Sequence, residues 1–304
     1  MNAEPAAVAA IETMGLTRRF GRTLAVDNLN LTVRAGSVFG FIGPNGAGKS
    51  TTIRMLIGVL SPTAGRARLL GQDVGPRAEG LKHRVGYVPE LHFMYRWMRA
   101  SEVIAFCRTF YPTWNDQFCG ELLDIFELDP RRRIKQLSKG MVAKLALLLA
   151  VAHEPELLIL DEPTSGLDPL MREEFLDGVL RTICARQRTV LFSSHTLSDV
   201  QRLADEVGII CNGRLLAHCP TDELLTDTKR IRAVLRDGCR PGAPPAGTIW
   251  QRVANREWLL TVRGFTPALV DALRADAAVA SVEVVDVGLE DVFKDMVRGQ
   301  KVPA

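Results

Sequence analysis

The chain has 304 residues, 47% of them hydrophobic and 24% charged, the ordinary range of a packed globular protein and not of a disordered one. Its 38 Lys and Arg against 35 Asp and Glu leave a formal net charge of +3, too small to argue for nucleic acid or an anionic membrane surface. The six cysteines (Cys107, Cys119, Cys184, Cys211, Cys219 and Cys239) include no Cys-x-x-Cys pair and read as reduced thiols, with metal binding a remote alternative.

In chain order, Met1 to Ile11 is small and apolar but carries Glu4 and no basic cluster, which argues against a secretory leader. Alternation through Leu29, Leu31 and Val33 predicts a half-buried strand ended by Ala35-Gly36. Val38 to Ile42 is a short apolar run, followed by a glycine-rich turn and a predicted helix from Lys49 to Leu60, stopped by Pro62 and Gly65. Strand-like runs recur at Val85–Val88, Leu157–Leu160, Val190–Phe192 and Val207–Cys211, mostly with helical stretches between them. That alternation predicts an α/β fold, a mostly parallel sheet with helices on both faces. From about Leu91 to Ala152 no strand stands out, and the segment reads as a helical insertion. Its run Leu145–Ala152 is the longest apolar stretch, far short of the roughly 20 residues that cross a bilayer, so work at a membrane requires a membrane-spanning partner. Asn212-Gly213, between Val207–Cys211 and Arg214–Ala217, is a hairpin signal.

Beyond Pro220 the character changes. Arg240–Gly247 holds three prolines and two glycines and reads as a loop or linker. Trp258–Val262 and Val282–Val287 predict strands around a helix from Pro267 to about Ala275, and Leu289–Val297 predicts a closing helix. The expected organisation is a main domain over residues 1–220, with a helical subdomain at about 91–152, and a small C-terminal α/β appendage over 221–304.

Gly43-Pro44-Asn45-Gly46-Ala47-Gly48-Lys49-Ser50-Thr51 matches G-x-x-x-x-G-K-[ST] between a strand and a helix. Its glycines let successive N–H groups turn toward phosphate oxygens, and the helix N-terminus adds partial positive charge. Lys49 is placed for the β- and γ-phosphates and the Ser50 hydroxyl for a Mg²⁺ shell. A phosphate site alone does not separate kinases, GTPases and ATPases. Leu157-Leu158-Ile159-Leu160-Asp161-Glu162 carries two acids to the carboxyl edge of the sheet, where α/β proteins place ligands. Asp161 suits Mg²⁺ through water, and Glu162 suits a base for an attacking water. Read by itself, such a strand is equally a solvated strand end.

Leu137-Ser138-Lys139-Gly140-Met141, some twenty residues upstream and leading into a helix, separates these readings. It resembles the signature of the ABC (ATP-binding cassette) family. The spacing onward to Asp161-Glu162, Pro163-Thr164, Ser165-Gly166-Leu167-Asp168 and His195 follows that family's order over roughly residues 11 to 220. The resemblance implies a P-loop ABC ATPase core with an antiparallel β portion and a helical subdomain, using ATP and Mg²⁺. It also implies head-to-tail pairing with a second cassette, self or sister, in which Ser138 and Gly140 touch the γ-phosphate held by the other chain's Lys49. Asp168 would lie in the loop that communicates across that pair, His195 would touch the γ-phosphate, and Phe20 would stack on adenine. A separate multi-span membrane subunit is implied, with the chain on the cytoplasmic face and without nucleic acid.

Three departures stand out. Glu90, in Gly86-Tyr87-Val88-Pro89-Glu90, replaces the family's usual glutamine near the metal, which implies altered kinetics with activity retained. Lys139 and Met141 replace signature residues while Ser138 and Gly140 stay. His92-Phe93-Met94-Tyr95-Arg96-Trp97-Met98 is rich in large side chains and suits a docking surface for the membrane subunit, with packing inside the helical insertion as the alternative. Gly288-Leu289-Glu290-Asp291-Val292-Phe293 resembles the ending of exporter-type cassettes. The rival readings are a cassette powering a non-transport mechanical or sensory complex at a membrane, a regulatory nucleotide sensor with negligible turnover, and a soluble cassette in DNA repair or translation. The last lacks support from coiled-coil heptads or a basic patch.

Overall fold

The computed structural model describes residues 9–75, 78–182 and 188–300; most of the N-terminal stretch and Cys184 lie outside them. The chain divides into two compact units, Met1–His218 and Cys219–Ala304. No helix among the described residues is long and apolar enough to cross a membrane.

The first unit opens with β1 (Ala9–Phe20) and β2 (Thr23–Arg34), then β3 (Val38–Ile42), α1 (Lys49–Leu56), β4 (Ala64–Leu69), β5 (Gln72–Asp73) and β6 (Val85–Val88). Three helices follow, α2 (Ala100–Arg108), α3 (Asp116–Ile125) and α4 (Lys139–Val151). The unit closes through β7 (Leu157–Asp161), α5 (Pro169–Thr182), β8 (Thr189–Ser194), α6 (Leu197–Leu203), β9 (Glu206–Cys211) and β10 (Arg214–Pro220).

Two sheets result. One is six-stranded, in the order β10-β9-β3-β8-β7-β6, with parallel pairing along β9-β3-β8-β7-β6. Every residue of β3, β7, β8 and β9 is buried, as expected for strands paired on both sides and covered on both faces. The other sheet has the order β2-β1-β4-β5 and is antiparallel. In β2, Leu29, Leu31 and Val33 point inward while Asn30 and Thr32 do not, the half-buried alternation the sequence predicts. One buried cluster joins Ile11, Leu16 and Leu31 of this sheet to Phe39 and Phe41 of β3 and to Ile53 and Leu56 of α1. Each large apolar side chain so buried stabilises by roughly 1.5–3 kcal/mol, and together they fix α1 behind the loop that precedes it.

The β9–β10 hairpin turns through Asn212 and Gly213, with φ of 50° and 79°. Two successive positive φ values make the tight turn that Asn-Gly favours. Helix α1 stops at Leu56, short of the expected Leu60. Gly58 takes φ 74°, and the Val59 and Leu60 amides turn back to the Arg54 carbonyl at 3.0 Å each, a left-handed helix ending. Helix α4 contains most of the longest apolar run and is buried along most of its length, so that run is core.

The second unit comprises α7 (Thr221–Asp227), β11 (Thr228–Leu235), β12 (Thr248–Ala254), β13 (Glu257–Arg263), α8 (Pro267–Ala275), β14 (Val279–Asp286) and α9 (Leu289–Gly299). Its antiparallel sheet has the order β12-β13-β11-β14. Trp258, Ile231, Leu260 and Val262 form its core with Leu273 of α8.

Candidate active site

The loop between β3 and α1 carries the phosphate motif. Gly48 stands at φ 109°, and a Cβ there would come 2.5 Å from the Ala25 carbonyl oxygen, so only glycine fits. The first helical bond runs from the Thr52 N–H to the Gly48 carbonyl (2.9 Å). The amides of Lys49, Ser50 and Thr51 therefore precede the helical ladder and remain available to an anion. From behind, the Gly213 N–H donates to the Ala47 carbonyl at 2.9 Å, tying the loop to the β9–β10 hairpin. A cleft of about 500 Å³ opens over the loop, lined by Asn45 to Thr51 together with Ala25, Glu90, Glu162, Ser165 and His195.

Parallel pairing brings the ends of β7 and β8 beside this loop. Asp161 is 2% exposed. Its Oδ1 accepts hydrogen bonds from Ser193 Oγ (2.8 Å) and Ser50 Oγ (3.1 Å), and burial raises its pKa above the usual carboxylate value. Among the described residues Asp161 has no ion pair. A buried carboxylate held by hydroxyls alone, next to a serine oxygen, is a hard-oxygen donor set that fits a divalent cation such as Mg²⁺.

Glu162 follows at φ 48°, a left-handed conformation that costs a non-glycine residue roughly 1–2 kcal/mol. Four contacts hold it there. Its N–H donates to Ser193 Oγ at 2.9 Å, Oε1 lies 3.2 Å from Lys49 Nζ, and Oε2 lies 2.6 Å from His195 Nδ1 and accepts the His195 N–H at 3.2 Å. Lys49 Nζ also donates to the Gly43 carbonyl at 2.7 Å. The structure thus gathers Lys49, Ser50, Asp161, Glu162 and His195 at one sheet edge, with Glu90 exposed on the rim.

Other expected residues lie apart. Phe20 is half-exposed, with the Arg18 guanidinium 4.6 Å above its ring, and is not in the cleft lining. Ser138 caps α4, its Oγ accepting the Met141 N–H at 3.1 Å, and Gly140 packs so closely that a Cβ would lie 2.6 Å from Met171 Sδ. Asp168 accepts the Met171 N–H at 3.0 Å. None of these three lines the phosphate cleft. A second cleft, of about 410 Å³, shares Glu90 and Ser165 with it and reaches Leu137 and Lys139. Sequence reading missed Ser193, whose link to Asp161 exists only through strand pairing. It also missed Asp199, which accepts a 3.1 Å hydrogen bond from Thr164.

The family described as ABC transporter matches residues 26–165. The bacitracin transport ATP-binding protein BcrA of Bacillus licheniformis is 37% identical over 216 residues, which cover 70% of this chain and 71% of BcrA. The chain belongs to the ABC transporter ATP-binding family. The daunorubicin/doxorubicin resistance ATP-binding protein DrrA of Streptomyces peucetius is 38% identical over 229 residues, 74% of this chain and 68% of DrrA. Among solved structures, an ATP-binding subunit of an ABC transporter superposes with a TM-score of 0.64 at 28% identity, covering 71% of this chain and 92% of its own. This cassette is accordingly an ATPase, the ATP-hydrolysing subunit of an ABC transporter, and subunits of this kind pair with separate membrane components.

Proposed function

We propose that this ABC ATPase powers an exporter from the cytoplasmic face of a membrane, hydrolysing ATP with Mg²⁺ between two cassettes and driving a separate multi-span membrane subunit. Export is favoured by the names of BcrA and DrrA, one a bacitracin transport protein and the other a drug-resistance protein. The observation that carries the chemistry is the Glu162 carboxylate, 7% exposed and set between Lys49 Nζ and His195 Nδ1.

In this reading Gly43, Pro44, Asn45, Gly46, Ala47, Gly48, Lys49, Ser50 and Thr51 wrap the phosphates, with the Lys49 ammonium toward the β- and γ-phosphates. Ser50, Asp161 and Glu90 hold the metal, which when bound neutralises charge on the phosphate oxygens. Glu162 orients the attacking water and takes its proton, while His195, touching the same carboxylate, steadies the water and the γ-phosphate. Phe20 offers a half-exposed face to adenine. Ser138, Gly140 and Asp168 lie outside the phosphate cleft, which supports their serving the nucleotide of a second cassette at the N-terminus of α4. Two cassettes close because each γ-phosphate gains ligands from both, and hydrolysis removes those ligands, a population shift set by differential affinity.

The docking surface for the membrane subunit is an apolar groove of about 380 Å³ whose lining includes Phe93, Met94, Tyr95, Met98 and Phe106. Phe93 is 89% exposed and Trp97 67% exposed, which favours docking over internal packing. The test is a pull-down from native membranes with tagged Glu162→Gln protein, ATP and Mg²⁺. A multi-span membrane protein is the expected companion; soluble proteins or ribosomes alone would overturn the transporter reading and leave the ATPase.

A further inference from the structure

The chain's net charge of +3 averages away a local concentration of cations. Residues 96–101 and 130–135 are stitched together by hydrogen bonds. The Lys135 N–H donates to the Arg96 carbonyl (3.1 Å), Ile134 to Met98 (2.9 Å), Ala100 to Arg132 (2.9 Å) and Ser101 to Pro130 (2.8 Å), while the Arg99 guanidinium donates to the Arg131 carbonyl (3.0 Å). This pairing gathers Arg96, Arg99, Arg131, Arg132, Arg133 and Lys135, every one exposed. Among the described residues only Arg132 has an ion pair, with Asp129 at 4.0 Å. Glu102 is used on the Arg99 backbone N–H at 2.7 Å.

Apart from the Arg99 bond to the Arg131 carbonyl and the long Arg132–Asp129 pair, these cationic groups make no hydrogen bond or ion pair among the described residues, and their like charges repel one another. Clustered Lys and Arg suit the headgroup layer of an anionic membrane, where guanidinium and ammonium groups meet lipid phosphates. We propose that this face is a lipid-contact surface that holds the cassette against anionic headgroups. The proposal rests on the reading that the cassette works at a membrane, because the patch borders the groove assigned to the membrane subunit.

The test uses the purified full chain without its membrane subunit, sedimented with vesicles of phosphatidylcholine alone or mixed with phosphatidylglycerol. Binding is expected only with phosphatidylglycerol. It should weaken at least about tenfold at high salt, where screening shortens, and similarly in the triple variant Arg131→Glu/Arg132→Glu/Arg133→Glu, which keeps its ATPase rate. Equal binding to neutral vesicles, or no loss in the triple variant, overturns it. So does an absence of vesicle binding combined with a salt-sensitive pull-down of the membrane subunit that the triple variant loses, since the patch would then serve an acidic protein segment. Failure in vesicles with an unaltered pull-down sinks the lipid inference and leaves the transporter reading standing.

A second inference comes from a separate observation. The Ser193 hydroxyl, 0% exposed, donates to Asp161 Oδ1 and accepts the Glu162 N–H. It is thus one atom bonded both to the proposed metal carboxylate and to the strained backbone of the proposed base. The geometry assigns Ser193 as a positioning residue that sets Asp161 and Glu162 in register with each other. Ser193→Ala and Ser193→Thr are compared with the parent for kcat, KM and Mg²⁺ dependence, with melting temperature confirming a folded protein. Ala is expected to lower kcat about tenfold or more and raise the Mg²⁺ requirement with KM for ATP little changed, as for a group acting after binding; Thr, which keeps a hydroxyl, should recover most of the rate. Parental kcat in folded Ser193→Ala, or a fall that Thr does not relieve, overturns the assignment.

Discussion

Two buried aspartates, one from each unit of the chain, are held differently. In the C-terminal unit, Asp295 is 0% exposed, lies 2.5 Å from the Arg230 guanidinium, accepts the Thr261 hydroxyl at 2.7 Å and has Arg298 at 3.6 Å. Its charge is cancelled from within. Asp161 is almost as buried but touches two hydroxyls, and burial raises its pKa. A carboxylate matched by guanidinium is part of the scaffold. One kept without a cation has binding capacity left for a metal, and the strained Glu162 beside it belongs to the same working edge.

Two measurements sharpen or break this contrast. Asp161→Asn should cut ATP hydrolysis on the order of a hundredfold or more while leaving the melting temperature near or slightly above parental, since neutralising a desolvated carboxylate removes a cost. A large loss of stability would make Asp161 structural. Asp295→Ala should do the reverse, destabilising the C-terminal unit by roughly 3 kcal/mol through the cation left behind, with hydrolysis by the folded protein unchanged; chemical denaturation reads it.

His153 contributes a pH signature separate from both. It is 1% exposed, its ring stacks on Tyr111 with centroids 4.0 Å apart, and burial pushes its pKa down to about 4. A depressed pKa means the folded state binds fewer protons. The stability it contributes is full above about 6.5 and is lost as pH falls toward 4, up to roughly 3 kcal/mol. His153→Phe should flatten that acid limb; an unchanged pH profile would remove His153 from the account. Smallest of all, Trp97→Ala should alter stability by no more than about 0.5 kcal/mol yet uncouple hydrolysis from transport. Unfolding instead would return the aromatic stretch to the core.

Much of the site was legible because its logic runs along the chain. The phosphate loop, the acids ending β7 and His195 just beyond β8 each follow a buried apolar strand, and the Asn212-Gly213 turn and α8 carry strong local signals. Elements without such signals escaped. Strand β1 is interrupted by Gly15 at φ 58° and by shifts of register, so it shows no clean alternation. An inner strand of the second unit's sheet, β11, carries Lys229, Arg230 and Arg232 among its apolar residues, and Arg230 reads as polar loop until Asp295 is seen to receive it. Ser193 was invisible for a related reason, whereas the cationic patch was overlooked. The run Arg131-Arg132-Arg133-Ile134-Lys135 is plain in the sequence and corrects the reading that no basic patch exists; only its joining to Arg96 and Arg99 needed the structure. The Ser193 link depends on the pairing of β7 with β8, and the full patch on that of residues 96–101 with 130–135, which no linear spacing encodes.

The central claim is that Glu162, poised between Lys49 and His195, is the base for ATP hydrolysis. The direct measurement is steady-state turnover of purified Glu162→Gln with ATP and Mg²⁺, with light scattering on the same sample. Turnover should fall at least about a hundredfold while ATP binding persists and ATP converts the protein to a stable dimer. Hydrolysis at the parental rate would contradict the assignment and return the base to another residue of the cleft.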